Sequence, residues 1–169
     1  MKKLISVIGS DGSDINLSKH ALEIAEEIGG LIAKKNAILI CGGRGGIMEA
    51  ACKGAKEKNG ITVGIMPESK EEANKFVEIP IISGLGNIRN SLIANTSEAI
   101  IAIAGRWGTL NEISYSMIYQ KPLILIKGTG GIVDYICNQE NNIINNIKNC
   151  YIVSSPDEAI EKVFELIEN

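Results

Sequence analysis

The feature that most constrains this chain is a repeated alternation, in which short β-branched runs bounded by glycine are each followed by a longer stretch with helical spacing. Residues 4–8, 37–40, 61–65 and 99–103 are such runs, and near-continuous apolar character is what strands buried on both faces require. Residues 76–82 and 123–126, with a short edge run at 151–153, bring the expected number to about seven. Helical spacing covers residues 17–34, 46–59, 87–96, 110–119, 131–147 and 157–167. Strand-helix alternation favours parallel pairing with right-handed crossovers. The expected fold class is therefore α/β, a three-layer Rossmann-like domain with a parallel sheet and helices on both faces. With 169 residues and no linker, repeat or low-complexity boundary, residues 1–169 read as one domain.

Ligands of such sheets settle outside the carboxyl ends of the strands, and that is where many of the 18 glycines fall. Gly9, Gly42, Gly43, Gly45, Gly46, Gly105 and Gly108 all follow predicted strands, where a missing Cβ lets backbone amides approach a ligand closely. The first turn, Gly9-Ser-Asp-Gly-Ser-Asp14, offers the Ser10 hydroxyl and neighbouring amides to phosphate or ribose; equally, Asp14 or Asn16 caps the next helix. The second, Cys41-Gly-Gly-Arg-Gly-Gly-Ile-Met48, lacks the Lys-Ser/Thr of a Walker loop and does not fit G-x-G-x-x-G. Its four glycines around Arg44 read instead as N–H donors at a helix N-terminus, suited to phosphate.

The third turn, Ala104-Gly-Arg-Trp-Gly-Thr-Leu-Asn-Glu112, is the most informative. Thr109 and Glu112 have the spacing of a capping box, and a glutamate in the first helical turn is expected to be a stabilised anion with a lowered pKa. Capping leaves Gly105, Arg106, Trp107 and Gly108 unexplained, and together with Thr109 these are candidate ligand contacts. Trp107, the sole tryptophan, suits stacking on a flat ring; the alternatives are a loop anchor against the sheet or a subunit contact. The chain uses 14 lysines but only three arginines, and all three, Arg44, Arg89 and Arg106, sit in or beside these turns. A planar guanidinium fork suits bidentate contact with phosphate or carboxylate.

Composition excludes several function classes. A net charge of −3 provides no general field for nucleic acid, so none is expected as a partner. Cys41, Cys52, Cys137 and Cys150 form no C-x-x-C pair and His20 is the only histidine, so buried reduced thiols and no metal site are expected. No apolar run approaches a signal peptide or membrane helix, which implies a cytoplasmic protein with no membrane partner. Ile113, Met117 and Ile118 exceed what one sheet face buries and imply a homodimer or higher homo-oligomer.

The third turn, with Arg89 lying 23 residues before Glu112, resembles the Lonely Guy (LOG) family within the SLOG Rossmann superfamily, whose signature is P-G-G-x-G-T-x-x-E preceded by an Arg-Lys pair. Ser97-Glu98-Ala99 and the Cys41–Met48 segment fit the same register, and the similarity spans most of residues 1–126. In LOG enzymes, which hydrolyse the N-glycosidic bond of nucleoside 5′-monophosphates without a cofactor, the resemblance makes Arg89 and Glu112 the catalytic pair. Three positions depart from the signature: Ala104 replaces its proline, Arg106 its second glycine and Asn90 its lysine. The form G-x-W-G-T-L-x-E-I is more similar to the branch containing molybdenum-cofactor carrier proteins. The resemblance thus implies a protein that binds a phosphorylated nucleotide, such as a nucleoside monophosphate, or a pterin-type cofactor such as molybdenum cofactor. The alternatives are a phosphoribohydrolase and a nucleotide-sensing or scaffold protein.

Overall fold

The computed structural model describes residues 1–138 and 148–168. Seven strands form one fully parallel sheet in the order β4-β3-β2-β1-β5-β6-β7: β1 Leu4–Gly9, β2 Ile38–Cys41, β3 Ile61–Met66, β4 Ile79–Ile82, β5 Ala99–Ile103, β6 Leu123–Ile126 and β7 Cys150–Val153. The expected seven-stranded Rossmann-like α/β architecture is the observed one. Register follows the hydrophobic pattern, with Ser6 opposite both Ile40 and Ile100 at the centre of the sheet.

Alternate residues of each strand enter different cores. Ile5, Val7, Leu39, Ile101, Ile103 and Ile124 pack under α1 (Lys19–Lys34), α2 (Ile47–Glu57) and α6 (Pro156–Glu168). Ile8, Ile40, Ile100, Ala102 and Leu125 pack under α3 (Asn90–Thr96), α4 (Trp107–Ile118) and α5 (Gly131–Cys137). This two-sided burial is the physical reason the strands lack alternating polar residues. Ser6 is an exception; its hydroxyl donates to the Ile93 carbonyl at 3.2 Å and pairs with Ser97, so its burial is compensated.

Several boundaries differ from the sequence expectation. The fourth expected run along the chain, residues 76–82, begins only at Ile79, because Asn74 accepts from the amides of Phe76 and Val77 and turns Phe76 into the core. Helix α1 is capped by neither Asp14 nor Asn16 but by Ser18, whose hydroxyl accepts from the Ala21 amide at 3.1 Å. Helix α4 starts at Trp107 instead of residue 110, and no side chain caps it, so the Thr109–Glu112 capping box does not form. Its start is advanced by Ala104 and Gly105, both at positive φ (+54° and +96°), which swing the chain into the helix directly after the strand. Helix α5 ends at Cys137, and residues 139–147, the second half of the expected helix, lie outside the described residues.

Helices α1 and α2 cross unusually closely. A Cβ on Gly29 would overlap the carbonyl oxygen of Ala51, and one on Gly54 that of Glu26. These mid-helix glycines let two backbones meet. Among the described residues no helix is long and apolar enough to cross a membrane.

Candidate functional site

A cleft of about 130 Å³ opens where β1 and β5 part, the point at which the strand order reverses. It is lined by Gly9, Ser10 and Asp11 after β1, by Arg44 and Met48 after β2, by Asn87, Arg89 and Asn90 leading into α3, and by Arg106, Gly108, Thr109 and Glu112 after β5. All three arginines thus reach one cavity.

The first and third turns are tied together beneath it. The Gly105 amide donates to Ser10 Oγ at 2.9 Å, and Ser10 Oγ donates to Asp14 Oδ2 at 2.5 Å. Arg106 donates to Ser13 Oγ at 3.0 Å and lies 3.7 Å from Asp11 and 3.9 Å from Asp14. The Ser13 hydrogen bonds, helped by Arg106, hold the Asp11 carboxyl below the usual carboxylate range. Arg44 donates through Nε and Nη2 to Glu72 Oε2 at 3.0 and 2.5 Å, so the polar connection after Pro67 reaches over the cleft rim.

Of the remaining expected residues, Gly42, Gly43, Gly45 and Gly46 do not line the cleft; they shape its floor. Gly43 and Gly46 have φ of +74° and +67°, and a Cβ on Gly46 would overlap the Ser10 carbonyl, so the first and second turns meet backbone to backbone. The Gly43 amide is spent on Cys41 Sγ at 3.3 Å. Gly105 and Trp107 line a neighbouring cleft, and Trp107 is 81% exposed, so it does not anchor the loop against the sheet.

Arg89 and Glu112 are brought together, both buried. Arg89 Nη1 donates to Asn90 Oδ1 at 2.8 Å and Nη2 to the Gly42 carbonyl at 3.4 Å, while its Nε has no partner among the described residues. Asn90 in turn donates to Asn111 at 3.0 Å. The Glu112 carboxyl makes no hydrogen bond among the described residues, and burial pushes its pKa up to about 8, with Arg89 opposing only in part. The expected lowered pKa is thus reversed. Past the first turn of α4 and on its buried face, Glu112 gains little from the helix N-terminus and loses its hydration.

Some participants had no sequence signal. Asn74 donates through Nδ2 to the carbonyls of Gly43 and Arg44 at 3.0 and 2.9 Å and braces the second turn from the far side of β3. Asn90, a departure from the LOG signature, is the residue that orients Arg89. Cys41 and Cys52 are free and buried with sulfurs 3.5 Å apart, whereas Cys137 and Cys150 are half-buried. No cluster of three or more metal-ligating His, Cys, Asp or Glu side chains occurs among the described residues.

The fold is shared with known proteins. The molybdenum cofactor binding protein of Rippkaea orientalis superposes with a TM-score of 0.85 at 33% identity, covering 99% of this chain and 98% of that one. The molybdenum cofactor carrier protein of Chlamydomonas reinhardtii gives 0.85 at 30% identity, with all of both chains covered. A cytokinin riboside 5′-monophosphate phosphoribohydrolase of Rhodococcoides fascians is 30% identical over 116 residues, 62% of this chain and 58% of that protein. Residues 2–160 match the SLOG cluster4 family, and the chain belongs to that family.

Proposed function

We propose that the cleft binds the phosphate of a phosphorylated nucleotide or pterin-type cofactor, and that the protein is a binding or carrier protein, with molybdenum cofactor as one candidate cargo. The observation that carries this is the convergence of Arg44, Arg89 and Arg106 on one small cavity at the sheet's switch point. A guanidinium buried with one nitrogen unpartnered is costly unless an acceptor arrives, and a phosphate oxygen is such an acceptor. Gly108 and Thr109 add the first turn of α4, whose amides and dipole favour an anion. The structural neighbours that bind or carry molybdenum cofactor support the cargo class. With no metal-ligating cluster among the described residues, such a cargo would be held through its phosphate and ring. Mass spectrometry of small molecules released from the purified protein, followed by calorimetry with nucleoside monophosphates and phosphorylated pterins, tests the proposal. No affinity for any of them overturns it.

A second reading, N-glycosidic hydrolysis of nucleoside 5′-monophosphates, is favoured by one observation, the placement of Arg89 and Glu112 in the same cleft. Glycosidic cleavage builds positive charge on the ribose, which an ionised carboxylate stabilises, and a carboxyl titrating near 8 is mostly neutral at pH 7. Free base and ribose 5-phosphate released from AMP by the native protein, and not by Glu112→Gln, would establish the enzyme instead.

A further inference from the structure

The β4 edge of the sheet is left bare. All four residues of β4 are exposed, and of the usual protections of an edge strand it has Pro80 but no charge. Ile79 and Ile81 stand in register with Val63 and Ile65, so they point to the sheet face on which α3 packs, yet they are 45% and 49% exposed. Ser83 donates through its amide and hydroxyl to the Met66 carbonyl at 3.0 and 2.8 Å, holding the next link against the end of β3. Leu85, Ile88 and Leu92 follow at spacings of three and four through the short helical turn Gly86–Arg89 and into α3, and they too are exposed, Ile88 by 66%. From Ile79 to Ser97 the one charged side chain is Arg89, which is buried against the cleft. The opposite helix layer is built differently, with Lys19, Glu23, Glu27, Lys34 and Glu161 exposed to water.

We infer that Ile79, Ile81, Ile82, Leu85, Ile88 and Leu92 form the surface on which a second copy of this chain docks across a two-fold axis. At their exposures these side chains present on the order of 500 Å² of apolar surface, near the top of the range for the largest patch on a monomer. A standard interface takes about 800 Å² from each partner, about 65% of it apolar between identical subunits, so the patch matches what one half of a dimer needs. A two-fold interface must also be complementary to itself, and an uncharged face meets its own copy without like-charge repulsion. No lysine lies between Lys75 and Lys121, so the patch lacks the basic rim that draws an apolar face to an anionic membrane. Residues 139–147 join α5 to β7 at the opposite edge of the sheet, six strand spacings or roughly 29 Å away, beyond the reach of nine residues tied at both ends. Of the residues on which the sequence placed an oligomer, Ile113 and Met117 pack into the chain's own core.

The inference is independent of what the cleft binds. Light scattering on the full chain over a wide range of concentration is expected to show twice the mass of one chain, or a larger assembly built from such pairs. Ile88→Asp and Ile81→Lys are each expected to weaken association by at least about a hundredfold, because the two-fold axis buries the new charge in both halves. Both side chains are exposed, so circular dichroism and Tm are expected to match the native chain. Deuterium exchange reads the same surface without a substitution: amides of residues 79–92 are expected to exchange more slowly in concentrated than in dilute native protein, and those of α6 to be unchanged. A native chain that stays monomeric at every concentration overturns the inference, including one that adsorbs instead to phosphatidylcholine vesicles. An oligomer that both variants leave intact, or whose concentration-dependent protection falls outside residues 79–92, overturns it as well.

Discussion

Glu112 is held as a buried acid, and its energetics follow from that state. Between the ordinary carboxylate value of 4.5 and about 8, the unfolded chain has released this proton while the folded protein keeps it. Raising the pH through that window therefore lowers stability. Glu112→Gln, which cannot ionise, is expected to match the native protein near pH 4 and to exceed it at pH 8 by a few kcal/mol, on the order of 3. Urea unfolding at several pH values measures the difference. Asp11 acts in the opposite sense, since its carboxylate lies 3.7 Å from the Arg106 guanidinium that an incoming phosphate needs. Asp11→Asn is expected to raise affinity for ribose 5-phosphate roughly fivefold at low salt, about 1 kcal/mol, with the gain shrinking as salt rises. Calorimetry at two ionic strengths reads both effects. The arginines were legible in the sequence because they stand out against a lysine-rich background. The sign of the Glu112 shift was not, because desolvation depends on what packs around a side chain.

Glycines with different neighbours separate stability from binding at the level of single elements. Gly29→Ala would force α1 and α2 apart, because its methyl meets the Ala51 backbone. Overpacking of this kind costs about 2–3 kcal/mol, which lowers Tm by roughly 5–10 °C in a chain of this size. Gly108 has no heavy atom within 4 Å of an added Cβ and lies in the first turn of α4 on the cleft wall. Gly108→Ala is expected to leave Tm unchanged or slightly raised while weakening phosphate binding, and paired thermal melts and titrations distinguish the two effects. The strand-end glycines and the strand-helix order could be read from residue spacing alone. Glycines inside a helical pattern signal close packing without saying against what, so the α1-α2 crossing needed coordinates. The start of α4 was misplaced for a related reason. The Thr109–Glu112 spacing matches a cap, but the left-handed Ala104 starts the helix earlier, in a conformation a proline at that position could not adopt.

Over the whole molecule, the cleft draws its lining from residues as distant as Gly9 and Glu112, joined only because β1 and β5 are neighbours. Fold class and the sheet edge that carries the site follow from strand-helix alternation, whereas the pairing of particular turns follows from strand order. A ligand that binds only this assembled state stabilises it by about 2.7 kcal/mol at a hundredfold excess over Kd. The cognate phosphorylated compound is therefore expected to raise Tm by roughly 5–10 °C, and a ligand that leaves the melt unmoved at that excess is not cognate.

The position of β1 also has a consequence during synthesis. It is the middle strand, flanked by β2 and β5, yet Leu4–Gly9 is made some ninety residues before Ala99–Ile103. At about 5–20 residues per second the nascent chain carries this apolar ribbon with one side unpaired for roughly 5–20 s. Over that interval the sequence most needed at the centre of the finished sheet is the one most available to a chaperone or to another emerging copy.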